Sequence, residues 1–196
     1  LHAGERRSGT GGFRLFAETT APVTGAPEAI STLFKAGTVP LRVRDGDDAG
    51  CLNLNRARTP RLYGVNPQQL SRLGAFSGEK ALWKLLEQPL PEGTIPALAG
   101  DSDTAMWGLK KKTGLPDGDV LSYRDESGRE FQLKLAGQLP MRVSVFQGSI
   151  LISEDAFTRL FPSEAGFRAF LIDTPDGTIS QTAERLNKDF ERYGMQ

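Results

Sequence analysis

Two neighbouring carboxylates, an acidic tetrad, one cysteine, one histidine and a run of three lysines are the residues here whose types suit chemistry. Asp101-Ser102-Asp103-Thr104 sets two carboxylates two positions apart, a pairing that general acid and general base catalysis uses. The same stretch reads as a helix start, where acids at the positive end of the dipole act as caps. Asp45-Gly46-Asp47-Asp48 suggests a calcium loop by charge, but it lacks the D-x-D-x-D-G spacing and the Glu twelve positions along, and reads as a solvated turn. Cys51 as a nucleophile needs a base, and the single histidine is His2, within the polar opening segment. A small half-buried residue is the better reading of Cys51. Lys110-Lys111-Lys112 has the charge for a phosphate, yet no glycine-rich nest adjoins it, so it reads as the basic end of a helix closed by Gly114. Trp83 stands among Leu82, Leu85 and Leu86 at helical spacing and reads as core rather than as a stacking platform.

The larger motifs of catalysis are missing from the sequence. It has no G-x-S-x-G, no G-x-x-x-x-G-K-[ST] and no G-x-G-x-x-G at a strand-to-helix junction. The reading is therefore a non-enzyme, with no catalytic, cofactor-binding or metal residue assigned. Basic and acidic residues number 24 each, for a net charge of zero, which argues against a nucleic-acid partner or a membrane-surface coat. A single cysteine allows no disulfide framework within the chain. No apolar run approaches the ~18 residues of a membrane span. The start has basic residues without an apolar run behind them, so it is no signal peptide, and it lacks a Met, as a piece of a longer chain would.

The elements that must position these residues are short, since 196 residues include 22 Gly and 12 Pro. Residues 1–12 are polar and glycine-rich and read as flexible. A strand over Phe13 to Ala17, with Phe13, Leu15 and Ala17 on one face, precedes a helix over Ala26 to Ala36 and a strand over Val39 to Val43. Leu52 and Leu54 alternate with polar residues as in a further strand. Asn66-Pro67 opens a helix that turns Leu70 and Leu73 inward, and a second runs from Glu79 to Glu87. Ile95 to Ala99 is a short strand. Val120 to Tyr123 and Phe131 to Leu135 form a hairpin around Asp125-Glu126-Ser127-Gly128. Gly137 to Gln147 carries no clear pattern. Ile150 to Ile152 is a buried strand that runs into a helix capped by Ser153, with Ala156, Phe157, Leu160 and Phe161 as its apolar stripe and Pro162 as its stop. Phe167 to Ile172 is apolar almost throughout, which predicts a central strand covered on both faces. A last helix, capped by Thr178 or Asp176, places Ile179, Ala183, Leu186 and Phe190 on one face.

The order Ile95-Pro96-Ala97-Leu98-Ala99, Trp107-Gly108-Leu109, Phe146-Gln147-Gly148, Leu151-Ile152-Ser153-Glu154-Asp155-Ala156-Phe157, Leu160-Phe161-Pro162 and Phe170-Leu171-Ile172-Asp173 resembles the extracytoplasmic domain of an FtsX-like (MacB-type) ABC transporter permease. Upstream, Gly11-Gly12-Phe13, Cys51-Leu52-Asn53-Leu54-Asn55 and Pro60-Arg61-Leu62-Tyr63-Gly64-Val65 are similar to one large-permease branch of that family. The resemblance covers nearly the whole chain. It implies an α+β fold in which a β-α-β core lobe, 13–93 with 167–193, carries an inserted strand-rich lobe, 94–161. It also implies an insertion between the first two membrane helices of an inner-membrane protein, on the periplasmic side. ATP would be hydrolysed on a separate nucleotide-binding subunit or domain, with no cofactor in this domain. A second permease copy or half and a periplasmic partner, or a lipid or peptide substrate, would complete the assembly. Two other classes stay open: a periplasmic module holding a lipid, peptide or small molecule between lobes, and an enzyme built on the Asp101 and Asp103 pair.

Overall fold

A computed structural model describes residues 5, 8–24, 37–46, 59–76, 80–102, 120–164, 166–175 and 177–195. The predicted helix over Ala26 to Ala36, the strand at Leu52 and Leu54, and the residues His2, Asp47, Asp48, Cys51, Asp103, Trp107, Lys110 to Lys112 and Asp176 lie outside the described residues.

The fold is α+β. Its strands are β1 (Leu15–Val23), β2 (Val39–Arg44), β3 (Arg61–Val65), β4 (Thr94–Ala99), β5 (Val120–Arg124), β6 (Glu130–Gln138), β7 (Ser149–Ser153) and β8 (Phe167–Ile172). The helices are α1 (Pro67–Leu73), α2 (Lys80–Lys84), α3 (Glu154–Leu160) and α4 (Ile179–Asp189). The strands form one sheet in the order β1-β8-β2-β3-β7-β4-β6-β5. The β3/β7 and β4/β6 pairs are parallel and the other neighbours antiparallel.

Alternation along the strands gives the sheet two unlike faces. On one face Val39, Leu41, Val43, Tyr63, Val65, Leu98, Leu151, Ala169 and Leu171 pack against α1, α2 and an aromatic group of Phe13, Phe76, Trp83 and Phe146. The other face carries two separate clusters. Leu62, Ile150, Ile152, Leu133 and Leu135 lie under Phe157 and Phe161 at α3. Ala17, Val23, Phe170 and Ile172 lie with Leu186 and Phe190 of α4. Strand β8 is thus covered on both sides, which is why its sequence is apolar nearly throughout.

Local signals account for most element ends. Asn66 accepts the Gln69 amide at 2.9 Å, Pro67 takes the first helical position of α1, and Gly74 closes it in the left-handed region at φ 62°. Ser153 Oγ accepts the Ala156 amide at 3.2 Å to start α3. Burying Phe157 and Phe161 stabilises that short helix by roughly 1.5–3 kcal/mol each, more than its own seven residues supply by propensity. In the β5–β6 hairpin, Asp125 accepts from the Ser127 amide and hydroxyl at 2.9 and 2.6 Å and from the Arg129 amide at 2.9 Å, while Gly128 supplies φ 82°.

Several expectations change. Strand β1 begins at Leu15 and runs to Val23, with a register break between Glu18 and Val23 where Pro22 brings no amide proton. Because Phe13 precedes the strand, it faces the core opposite to that of Leu15 and Ala17. Strand β3, which sequence pattern leaves unassigned, is an interior strand whose Gly64 lies directly under Phe157: a Cβ there would stand 2.7 Å from the Phe157 Cβ. Ile179 is exposed, at 38% of its surface, because only Leu186 of α4 and Phe190 just beyond it reach the core. Thr178 spends its hydroxyl on the Pro175 carbonyl at 2.9 Å rather than on capping α4.

Composition predicts flexibility for residues 1–12. Residues 8–12 form consecutive turns, with the Gly11 amide on the Ser8 carbonyl at 2.9 Å and the Phe13 amide on the Thr10 carbonyl at 3.1 Å. Residues 139–148 are held by residues distant in sequence, at and just after the end of β4. Leu139 donates to the Ala99 carbonyl, Ser144 Oγ to the Gly100 carbonyl at 2.6 Å, and Gly148 to Asp101 Oδ2 at 2.9 Å.

Candidate functional site

On the sheet face that carries α3 and α4, the stripe between the two apolar clusters is arginine. The alternation of β2 sends Val39, Leu41 and Val43 to the aromatic core and Arg42 and Arg44 to the opposite face, where Arg168 of β8 joins them. Each guanidinium finds a carboxylate or an aromatic ring. Arg42 donates through Nε and Nη2 to Glu154 Oε1 at 3.1 and 2.8 Å and lies 4.4 Å over the Phe167 ring. Arg44 pairs with Glu164 and lies 4.4 Å over Phe161. These contacts tie β2 to both ends of α3, since Glu154 opens the helix and Phe161 and Glu164 follow it.

At one end of the sheet the pairs merge into a network. Asp45, just past β2, accepts from Arg168 Nη1 at 2.7 Å and pairs with Arg61 Nε at 3.3 Å. Arg61 Nη1 also donates to Glu18 at 2.9 Å, and Tyr63 Oη donates to the same Glu18 oxygen at 2.9 Å. Glu18 sits on β1 and Tyr63 on β3, with β8 and β2 between them, so this bond spans four neighbouring strands of the sheet. Burial, and then the Glu18 carboxylate, push the Tyr63 phenol far above its ordinary value of 10.0.

A groove of about 810 Å³ opens beside this network. Arg44, Asp45 and Gly46 line one wall, Ser122, Tyr123 and Arg124 of β5 the other, with Thr59, Pro60 and Leu62 between them. Tyr123 Oη donates to the Pro60 carbonyl at 2.9 Å and ties the β5 wall to the residues between. Arg124 pairs with Glu130 at 3.0 Å, so both arginines of the lining hold carboxylates already.

No protein-family model matches the sequence, and no curated protein is significantly similar to it.

Sequence reasoning assigned no site residues, and the residues it weighed sit as follows. Asp101 is buried at 0% exposure and bonds the Gly148 amide, so it joins the end of β4 to the turn before β7. Asp45 bridges two arginines. Trp83 is buried at 0% exposure and donates from Nε1 to the Ala75 carbonyl at 3.1 Å, a core role. Arg42, Arg44, Arg61, Arg168, Glu18 and Glu164 were missed. The alternation Val39-Pro40-Leu41-Arg42-Val43-Arg44 marked one polar face on a strand, and that signal pointed to two of them.

The Tyr63 phenol gives a pH test. Its folded pKa is raised, so its contribution to stability is complete below pH 10, where the unfolded phenol is also neutral, and is lost as pH climbs past that value. Urea unfolding at pH 8 and pH 10.5 should show this alkaline loss in the native chain. Tyr63→Phe should remove the pH dependence and cost roughly 1.5 kcal/mol at pH 8, through the lost bond to a charged acceptor. Equal alkaline loss in both proteins would assign it elsewhere.

Proposed function

We propose that this chain is the extracytoplasmic domain of an FtsX-like, MacB-type permease, a stiff body that carries displacement of membrane helices to a periplasmic partner or substrate. ATP hydrolysis belongs to a separate nucleotide-binding subunit or domain, and a second permease copy or half faces this one across the membrane part. The observation that carries the reading is the β3/β7 pairing, Arg61 to Val65 alongside Ser149 to Ser153, which makes one sheet of strands from 13–93 and strands from 94–161. A body whose halves share a hydrogen-bonded ladder and the Arg42–Glu154 clamp moves as a unit, as a mechanical coupler must. The resembling residues also lie at its joints: Gly64 under Phe157, Ser153 at the α3 cap, and Gly148 on Asp101.

The test uses the full-length parent protein. Apolar stretches of ~20 residues should flank this region. A cysteine placed at the exposed hairpin tip, Ser127→Cys in a Cys51→Ser background, should react with an impermeant maleimide on intact spheroplasts. Labelling only after lysis, or a parent without such stretches, ends the proposal.

The groove favours a second reading, a ligand module, since about 810 Å³ is within the range of small-molecule and peptide sites. Its occupant should raise the melting midpoint of the chain by mass action in a screen of lysophospholipids and short neutral peptides. No shift at millimolar peptide or lipid would discard it.

A further inference from the structure

Strand β5 is outermost in the sheet, and its edge has a defined hydrogen-bonding pattern. The Asp125 amide donates to the Arg129 carbonyl at 2.9 Å, which makes that pair a hydrogen-bonded one of the β5–β6 ladder. With Arg124 opposite Glu130 and Ser122 opposite Gln132, alternation turns the amides and carbonyls of Ser122 and Arg124 away from β6. The Gln132 amide has the matching phase, since it points away from β5, onto the Gly93 carbonyl at 2.8 Å. Among the described residues, no backbone bond reaches the outward groups of Ser122 or Arg124. The opposite edge of the sheet differs: residues 194 and 195 cover β1, through the Thr20 amide on the Gly194 carbonyl and the Thr19–Met195 bridge. Strand β5 carries no Pro, no Lys and no bulge, the devices that keep an edge from pairing, and its one charge, Arg124, is held by Glu130.

The groove between Arg44 and Tyr123 runs along this edge. Ser122 is exposed and Tyr123 buried, so their side chains leave β5 on opposite faces, yet both line it. Its floor is apolar at Pro60 and Leu62, and Tyr123 Oη reaches over to the Pro60 carbonyl at 2.9 Å. The charged lining residues, Arg44, Asp45, Arg124 and Glu130, sum to zero, so charge selects neither an anion nor a cation. Volume limits the occupant further. One residue of a strand fills roughly 160 Å³, the product of its rise, the spacing between strands and the spacing between sheets. A groove of about 810 Å³ therefore takes about five residues of a single strand. A second copy that approached through its own β5 would bring β6 beside it, two strands where the volume admits one.

We propose that the groove binds an extended peptide segment of a partner protein, as a strand added to β5. Ser122 and Arg124 each offer one amide and one carbonyl to its main chain, so up to four hydrogen bonds form. The peptide residue beside Tyr123 turns its side chain in over Pro60 and Leu62 and is small and apolar. The residues beside Ser122 and Arg124 turn theirs outward and are polar. Recognition is thus of a short polar-apolar-polar alternation rather than of a charge. The inference rests on the groove being a ligand site, and it names the ligand as peptide main chain rather than lipid.

Amide NMR titration of the native chain with the blocked peptide acetyl-Ser-Thr-Val-Thr-Ser-amide tests it. At millimolar peptide the shifts should saturate and centre on Ser122 to Arg124, and exchange of the Ser122 and Arg124 amides should slow by about tenfold or more. Two analogues, N-methylated at alternate sets of residues, give the sharper comparison. A strand turns every second amide to its partner, so one analogue should bind and the other should not. Ser122→Pro removes an outward donor and no ladder bond, so it should fold and weaken binding by about tenfold or more, while Ser122→Ala should bind like the native chain. If the proline variant does not fold, the methylated pair still decides. No saturable shift, or two analogues of equal affinity, would overturn strand addition. A lysophospholipid that shifts the groove residues while the peptide does not would keep the ligand reading and end this one, and silence from both would end both. A concentration-dependent dimer of the native chain that Ser122→Pro abolishes would give the edge to a second copy and overturn the proposal.

Discussion

Trp83→Ala should lower the unfolding free energy by about 3–5 kcal/mol, which is a large share of the roughly 5–15 kcal/mol that holds a domain folded. The indole is fully enclosed, meets Phe76 edge to face at 6.2 Å, and satisfies the Ala75 carbonyl at 3.1 Å. Truncation removes three things at once: the transfer free energy of the ring, its contacts with Phe76, and the donor that pairs a buried backbone oxygen. Helices α1 and α2 are seven and five residues long, too short to persist without that packing. The loss should therefore appear in far-ultraviolet circular dichroism as well as in the urea midpoint. Trp83→Phe keeps an aromatic ring but not the donor and should cost roughly half as much. A loss under about 1 kcal/mol for the alanine variant would mean that the ring does not fill the core.

What could be read in advance follows from how far apart the interacting residues are. Helix α3 was legible because its start at Ser153, its stripe and its stop at Pro162 lie within ten residues. The hairpin at Asp125 to Gly128 and the α1 caps at Asn66 and Gly74 were legible for the same reason. Strand β3 was not, because Gly64 weakens any strand pattern, and the reason for the glycine is Phe157, a side chain far along the sequence. The charge network left almost no local trace. Arg61 and Glu18 are 43 positions apart, Arg42 and Glu154 are 112, and Arg168 and Asp45 are 123. Patterning shows that Arg42 and Arg44 share a face, but only the strand order shows which carboxylates meet them. Ile179 failed in the opposite sense: helical spacing put it on the apolar face of α4, yet the helix meets the core only toward its far end.

The second large effect is a coupling between Gly64 and Phe157. Gly64→Ala should destabilise by roughly 1–3 kcal/mol, because the new methyl would stand 2.7 Å from Phe157 Cβ and Cγ and α3 must lift to admit it. Phe157→Ala should cost about 3–5 kcal/mol through the cavity it leaves under α3. In the double variant the methyl added by Gly64→Ala enters space that the ring has vacated, so its clash with Cγ and Cδ2 disappears, the contact with the retained Cβ alone remains, and the cavity shrinks. The double variant should then be more stable than the sum of the single effects by at least about 1 kcal/mol. Urea unfolding of the four proteins at neutral pH measures it, and additivity within about 0.5 kcal/mol would deny the contact. The sign matters beyond stability. Helix α3 continues directly from β7, and β7 pairs with β3, so the Gly64–Phe157 contact closes a triangle of strand, strand and helix at the seam between the two halves of the sheet. If displacement crosses this molecule as a unit, it crosses there, and Gly64→Ala should loosen that seam before it unfolds the rest.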